Sequence, residues 1–359
     1  MKVAVLGSGQ MGESVIQHLL PSPDVQEITA YDVNAERLQE LKDKYGVQVT
    51  DDLGQVLSNK AIELVFIASP NHTHKSLAIQ CMEAGKAVLC EKPMANTYED
   101  AKELVEKSEK LGAFLQIGFE CRYSKLYTTV KEWIDAGLLG DVVNTHTNYV
   151  SSEFHHKDNW RNKKATGGSM FNEKLCHYVD LPRWWIGSKV KDVISICSPN
   201  VIPYYEVRDN YHTTYRFENG AVSHLTFMMI VGAMFQGDPD KNVVDQQQGD
   251  GHELRCLIVG TKGAAEVDVF KRSIKRWEFR DGPKCLESHW VDTITYAADE
   301  EHKYTHNTND QSLDIVRRVA NGLPPMTPAR DSLDSMALCF AAELSADTGE
   351  IVSIETISL

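Results

Sequence analysis

The chain has no C-x-x-C pair, no excess of basic residues, no internal repeat and no low-complexity segment. Its apolar runs also stay well short of the ~20 residues a membrane-spanning helix needs. Each absence excludes a class. Without paired cysteines, a zinc ribbon or a thioredoxin-like centre finds no support. The eight cysteines, scattered from Cys81 to Cys339, read as reduced and mostly buried residues. A net charge of −14 opposes general nucleic-acid binding, which needs a basic surface to displace counterions. The opening Met1-Lys2-Val3-Ala4-Val5-Leu6 is too short an apolar stretch for a signal peptide and runs into a glycine turn. A cytoplasmic protein that does not engage a membrane is therefore expected.

What is present is a βαβ rhythm. Over the first ~120 residues, short apolar runs alternate with amphipathic stretches, the signature of a parallel sheet with helices on both faces. The pattern predicts strands at Lys2–Leu6, Glu27–Tyr31, Leu64–Ala68, Ala87–Cys90 and Phe114–Gly118. It predicts helices at Met11–Leu20, Ala35–Tyr45, Thr73–Ala84 and Thr97–Leu111. After Gly118 the rhythm changes. A helix (Tyr127–Ala136), an extended stretch (Val142–Val150), a polar loop and a helix from Ser169 to Ile186 precede a succession of strands from Val190 to about Phe279. Two helices, Asn309–Asn321 and Pro328–Thr348, close the chain. The expected fold is α/β: a doubly wound Rossmann domain over 1–120, then an α+β domain over 121–359 with an open, mainly antiparallel sheet.

Gly7-Ser8-Gly9-Gln10-Met11-Gly12 fits G-x-G-x-x-G between a strand and a helix. The glycines allow a tight turn, close approach of a pyrophosphate and close helix–strand packing, with the phosphates on the helix N-terminus. Asp32, 20 residues after Gly12, can accept hydrogen bonds from a ribose and would repel a 2′-phosphate, which favours NAD over NADP. Arg37 is the one nearby residue that argues the other way.

Three further segments bear chemistry. Ser69-Pro70-Asn71-His72-Thr73-His74 and Glu91-Lys92-Pro93 follow buried strands, at the carboxyl edge of the sheet where ligands bind in doubly wound folds. Lys92 can reach toward a nicotinamide, although a solvated lysine fits its position equally well. In Asn172-Glu173-Lys174-Leu175-Cys176-His177-Tyr178-Val179-Asp180, a helix would place Glu173 and His177 on one face. Histidine suits proton transfer near neutral pH, but taken alone the pattern is better explained as a helix surface with an ion pair.

In combination with Gly118-Phe119, Arg122-Tyr123 and Trp160-Arg161, these segments stand in the order of the glucose–fructose oxidoreductase/inositol dehydrogenase (Gfo/Idh/MocA) family, which the chain resembles over nearly its whole length. The resemblance implies a soluble, NAD-dependent oxidoreductase acting on a secondary hydroxyl of a sugar, inositol or related polyol in a cleft between two domains. Lys92 would hold the reacting hydroxyl and lower its pKa, and His177 would take its proton. Glu173 stands where the family has aspartate and would contact substrate or support the histidine. The cofactor set would be Gly7, Gly9, Gln10, Met11, Gly12, Asp32, Ser69, Asn71, His74, Glu91 and Lys92, with a cis proline bond near Lys92. The substrate set would add Arg122, Trp160, Arg161 and Asn172. No metal is expected, and His155-His156 read as solvated loop residues. A homodimer or homotetramer through the second sheet is expected. The helix departs from the family's pattern, with Glu173 for aspartate and Leu175 for glycine, and Ser124-Lys125 replaces a common proline. An NAD-dependent glycosidase using transient oxidation and elimination is the alternative within the same superfamily. A non-enzymatic NAD sensor is a third reading, opposed by the retention of Lys92 and His177. Tyr127 and Lys131 form Y-x-x-x-K but read as helix surface, Met228-Met229 and Trp184-Trp185 as packing, and Asp238–Asp250 as a loop.

Overall fold

The computed structural model describes residues 1–152, 155, 157–229, 251–297, 300 and 306–358. Two compact units emerge from the chain's own contacts. The first takes Met1–Phe119, Ala165–Gly168 and Thr308–Met336, and the second takes Glu120–Lys164, Ser169–Asn307 and Ala337–Leu359.

In the first unit, six parallel strands run in the order β3-β2-β1-β4-β5-β6. They are β1 (Lys2–Leu6), β2 (Glu27–Tyr31), β3 (Gln48–Thr50), β4 (Ile62–Ile67), β5 (Ala87–Cys90) and β6 (Leu115–Ile117). The crossover helices are α1 (Gln10–Leu19), α2 (Ala35–Tyr45), α3 (Leu53–Ser58), α4 (His74–Glu83) and α5 (Tyr98–Leu111). Past their first residues the central strands, covered on both faces, are apolar: Val3, Ala4, Val5, Leu6 and Leu64–Ile67 are fully buried. Asn34 caps α2 through the amides of Glu36 and Arg37, and Gly46 ends it in the left-handed region at φ +68°. The short β3–α3 pair lacks the periodicity that marks its neighbours and is not among the elements the sequence predicts.

The first unit is not a simple N-terminal stretch. A helix at Thr308–Ala320 packs on α1, and its Ile315 and Val316 lie in the same core as Val3, Val15 and Leu19. Thr327 Oγ1 donates to Ile117 O at 2.6 Å, and Gln116 Oε1 accepts from the Met326 amide at 2.9 Å. A single cut at residue 120 leaves this return out, because nothing local in 308–336 marks which core it completes.

The second unit holds nine strands in the order β14-β13-β12-β11-β7-β10-β9-β8-β15. They are β7 (Val142–Ser151), β8 (Val190–Ile196), β9 (Asn210–Phe217), β10 (Val222–Met229), β11 (Glu253–Gly260), β12 (Gly263–Asp268), β13 (Ser273–Asp281), β14 (Leu286–Thr295) and β15 (Val352–Ser353). All neighbours pair antiparallel except β7 with β10. Burial alternates along β9, β10 and β11, so one face packs inward. On that face Tyr149 meets Tyr178 and Phe227 edge-on, with ring centroids 5.1 and 5.5 Å apart. Tyr178 comes from the helix Cys176–Ile186, which covers the sheet. Tyr127, expected on a helix surface, is instead 1% exposed beneath Trp185. Its helix (Lys125–Asp135) is amphipathic and Tyr127 falls on the buried side with Leu126 and Val130. Met229 and Trp185 are buried as packing residues, while Asp238–Asp250 lie outside the described residues.

Candidate active site

The glycine turn after β1 is shaped for a phosphate. Gly7 adopts φ +97°, and a Cβ there would stand 2.7 Å from the Ala68 carbonyl and the Ser69 nitrogen. At Gly12 a Cβ would stand 1.9 Å from Gly7 O, so the third glycine is fixed by packing. Gly9 differs: a Cβ there would meet nothing within 4 Å. That open position lies at the N-cap of α1, where no side chain caps the helix. The first-turn amides of Gln10, Met11 and Gly12 and the positive end of the dipole thus face accessible space, a fit for a pyrophosphate.

Asp32 closes the other side of the turn. Its Oδ2 accepts from the Ser8 amide at 2.7 Å and the Ser8 hydroxyl at 2.6 Å, and its Oδ1 accepts from the Asn34 amide at 2.9 Å. Burial works against the charge, but these donors hold the carboxyl below its usual range. The negative charge at the end of β2 suits a ribose and repels a phosphate on it. Arg37 is already committed: Nε donates to Ser8 O at 2.8 Å, and the guanidinium pairs with Glu13 and Glu40. Glu13 is pulled down to about 2, first by the Tyr45 hydroxyl and then by Lys44, with Arg37 adding to both.

The loops after β4 and β5 are locked together by His74. Its two ring nitrogens lie 2.7 Å from Pro93 O and 2.8 Å from Ser69 O. Burial lowers the pKa of this imidazole and the charge of Lys92 adds to that, while the two carbonyls oppose. Ser69 Oγ and Thr73 Oγ1 share a hydrogen bond at 2.6 Å. Asn71 is buried and donates to Gly167 O at 3.1 Å. Glu91 is also buried, with its carboxylate laid over Gly118, where a Cβ would come within 2.5 Å of Oε2. Lys92 is partly exposed on this edge and is joined to Pro93 by a cis bond.

In the second unit the polar residues form two groups around a widened turn. Residues Phe171–Leu175 are a π-helical turn that leads into the helix Cys176–Ile186. Glu173, 8% exposed, has Oε1 3.1 Å from Arg161 Nε and Oε2 3.4 Å from His155 Nε2. Arg161 also stacks on Trp160, its guanidinium carbon 4.5 Å from the ring centre. Asn172 is buried beneath, its amide donating to Ser169 Oγ at 3.2 Å. His155, read from the sequence as solvated, is drawn in by the Glu173 carboxylate; His156 lies outside the described residues.

The second group centres on His177, 1% exposed. Its Nε2 lies 3.3 Å from Glu120 Oε1, and the same oxygen is 2.8 Å from His306 Nδ1. Burial opposes the charge of Glu120, yet the two imidazoles hold it well below the usual carboxylate range, so it is an anion. His306 is pushed down to about 4, by burial first and then by the positive charge of Lys174. A buried carboxylate behind a buried imidazole fixes ring orientation and stabilises the imidazolium that forms on proton uptake.

Arg122 pairs with Asp180 in a bidentate contact, Nε to Oδ2 at 2.7 Å and Nη2 to Oδ1 at 2.6 Å, with both side chains buried. The structure therefore groups Glu173 with Trp160, Arg161 and His155, and separately groups His177 with two residues the sequence did not single out, Glu120 and His306. The Glu120 signal was available in principle, in Gly118-Phe119-Glu120-Cys121-Arg122-Tyr123 directly after β6. His306 carries no local signal; it is brought in by the neighbouring Asn307, whose side chain donates to Tyr123 O at 3.0 Å.

Comparison with known proteins agrees with these features. Residues 1–119 match the family model "Oxidoreductase family, NAD-binding Rossmann fold", and residues 127–266 match the "GFO/IDH/MocA C-terminal domain". An inositol 2-dehydrogenase of Salmonella typhimurium is 26% identical over 364 residues, covering 100% of this chain and 97% of its own. A myo-inositol 2-dehydrogenase of Thermotoga maritima is 23% identical over 361 residues, covering 99% of each. Among solved structures, a levoglucosan dehydrogenase in complex with NADH and L-sorbose superposes with a TM-score of 0.82 at 21% identity, over 100% of both chains.

Proposed function

The chain belongs to the Gfo/Idh/MocA family of NAD-dependent oxidoreductases acting on CH–OH groups, and from that premise we propose that its substrate is a sugar, inositol or related polyol, oxidised at a secondary hydroxyl. NAD, when bound, supplies the hydride acceptor. Gly7, Gly9, Gln10, Met11, Gly12 and Asp32 hold it, the first five at the phosphates and Asp32 at the ribose. Lys92 binds the reacting hydroxyl and lowers its pKa. His177 accepts the hydroxyl proton at Nδ1, while Glu120, against Nε2, orients the ring and balances the imidazolium. Glu173, held by Arg161 and His155, accepts hydrogen bonds from further substrate hydroxyls. Trp160 gives a sugar ring an apolar face.

The observation that carries this reading is the Glu120–His177 contact at 3.3 Å, between a carboxylate 2% exposed and an imidazole 1% exposed. A buried anion costs several kcal/mol, and this one stands where an imidazolium would form on proton uptake. The test is a screen of polyols and sugars with NAD and with NADP, following the reduced cofactor. A polyol that reduces NAD is expected, and Lys92→Ala should abolish that turnover while NAD still binds. Unchanged turnover in Lys92→Ala would overturn the assignment of Lys92. A glycoside consumed with no accumulation of NADH would replace polyol oxidation by the transient-oxidation reaction.

A further inference from the structure

Among the described residues, one group of side chains has the make-up and spacing of a transition-metal site. Cys121, His177 and His306 each offer one ligand atom, and these atoms all lie within 4.8 Å of one another. Cys121 Sγ is 3.9 Å from His306 Nδ1. Glu120 stands beside this trio, with Oε1 2.8 Å from His306 Nδ1 and 3.3 Å from His177 Nε2. Tetrahedral zinc, with bonds of ~2.3 Å to sulfur and ~2.0–2.2 Å to nitrogen or oxygen, needs sulfur–nitrogen separations of about 3.6 Å and nitrogen–oxygen separations of about 3.3 Å. The Cys121–His306 separation lies within a few tenths of an ångström of that need, so side-chain rotations would bring the three donors onto one ion. Cys121, His177 and Glu120 are buried, and His306 is partly buried.

We propose that Cys121, His177 and His306 form a binding site for a zinc-class divalent ion, and that the bound ion silences the enzyme. The mixed sulfur and nitrogen set selects a borderline-soft ion such as zinc or cobalt over magnesium or calcium. Three protein ligands hold the ion and leave its fourth position to a solvent oxygen. On binding, the Cys121 thiol gives its proton to solvent as the metal–sulfur bond forms. The resulting thiolate and the Glu120 carboxylate neutralise the ion, and they must do so against the positive charge of Lys174 nearby. The ion also binds the imidazole with which His177 would accept a proton. The silencing half rests on the proton-acceptor role proposed above for His177; the binding half does not.

The experiment is a cobalt titration of the chelator-treated enzyme, followed by absorption. The expected result is one equivalent of cobalt with tetrahedral ligand-field bands and a thiolate-to-cobalt charge-transfer band. Cys121→Ser should lose the charge-transfer band, and His306→Asn should weaken the affinity by at least ~10-fold. Unchanged spectra in both variants, or no stoichiometric uptake by the wild type, would overturn the site. In parallel, zinc at equivalence should suppress NAD-dependent turnover, and a chelator should restore it. Full uptake with turnover untouched would overturn the silencing. Full uptake in an enzyme that shows no turnover even after chelation would count against the dehydrogenase reading while the site itself stood.

Discussion

The residue that most repays attention is Glu120, because it is a charge with almost no access to water and two imidazoles to balance it. A carboxylate there does more than pack, since an amide of the same shape would leave the ring of His177 without its counter-charge. Glu120→Gln is therefore expected to lower kcat about 10²-fold with little change in KM, measured by steady-state kinetics on the polyol identified in the screen. A residue that merely filled space would move both or neither. Sequence reading reached His177 and Glu173 but put them on one face as a pair. The π-turn gives them different company instead, Glu173 with Arg161 and His155, His177 with Glu120 and His306. The missed partners follow from chain distance: His306 lies 186 residues from Glu120, and no local pattern records such a pairing. Arg122 shows the converse. It was read as a substrate residue, yet its guanidinium is spent on Asp180, a buried pair whose rupture would strand a charge.

At the scale of elements, the strand–turn–helix that opens the chain was legible almost to the residue. Its signals are local: an apolar run, three glycines at fixed spacing, then amphipathic periodicity. The sequence assigns the three glycines different demands, and the structure gives each its distance. Gly12 is fixed by the carbonyl of Gly7, whereas Gly9 has room for a side chain and a φ of −65° that alanine adopts freely. Gly9→Ala should therefore fold with a stability within about 1 kcal/mol of the wild type, yet bind NAD at least ~10-fold more weakly because the methyl group stands where the pyrophosphate approaches. Gly12→Ala should fail at the level of folding. Thermal melting with and without NAD, together with a cofactor titration, separates the two. Strands β12 to β14 and the β3–α3 pair were less legible. Of the first, β13 and β14 are rich in polar, charged residues and partly to largely exposed, and the second is too short to show a period.

For the whole molecule, the sequence conveyed an α/β Rossmann unit and a second α+β unit with a mainly antiparallel sheet, and both are present. It did not convey that the first unit is built from distant parts of the chain. Ile315 and Val316 are fully buried in a core otherwise made of the first hundred residues. Ile315→Ala should accordingly cost ~2–5 kcal/mol, and NAD should protect the variant against unfolding less effectively at a given concentration. Differential scanning across a cofactor series measures both. A similar loss without any effect on cofactor protection would show that this helix and the nucleotide site melt independently.

That same return of residues 308–336 has a consequence for how the molecule is made. A ribosome delivers the six-stranded sheet early and the helix that finishes its core only after some three hundred residues have emerged. Until then the apolar patch on α1 that Ile315 and Val316 will cover faces the solvent or whatever nascent chain lies near it. The nucleotide-binding half is thus the first to be synthesised and among the last to be completed. A chain that stalls before residue 308 should be captured by chaperones rather than by NAD.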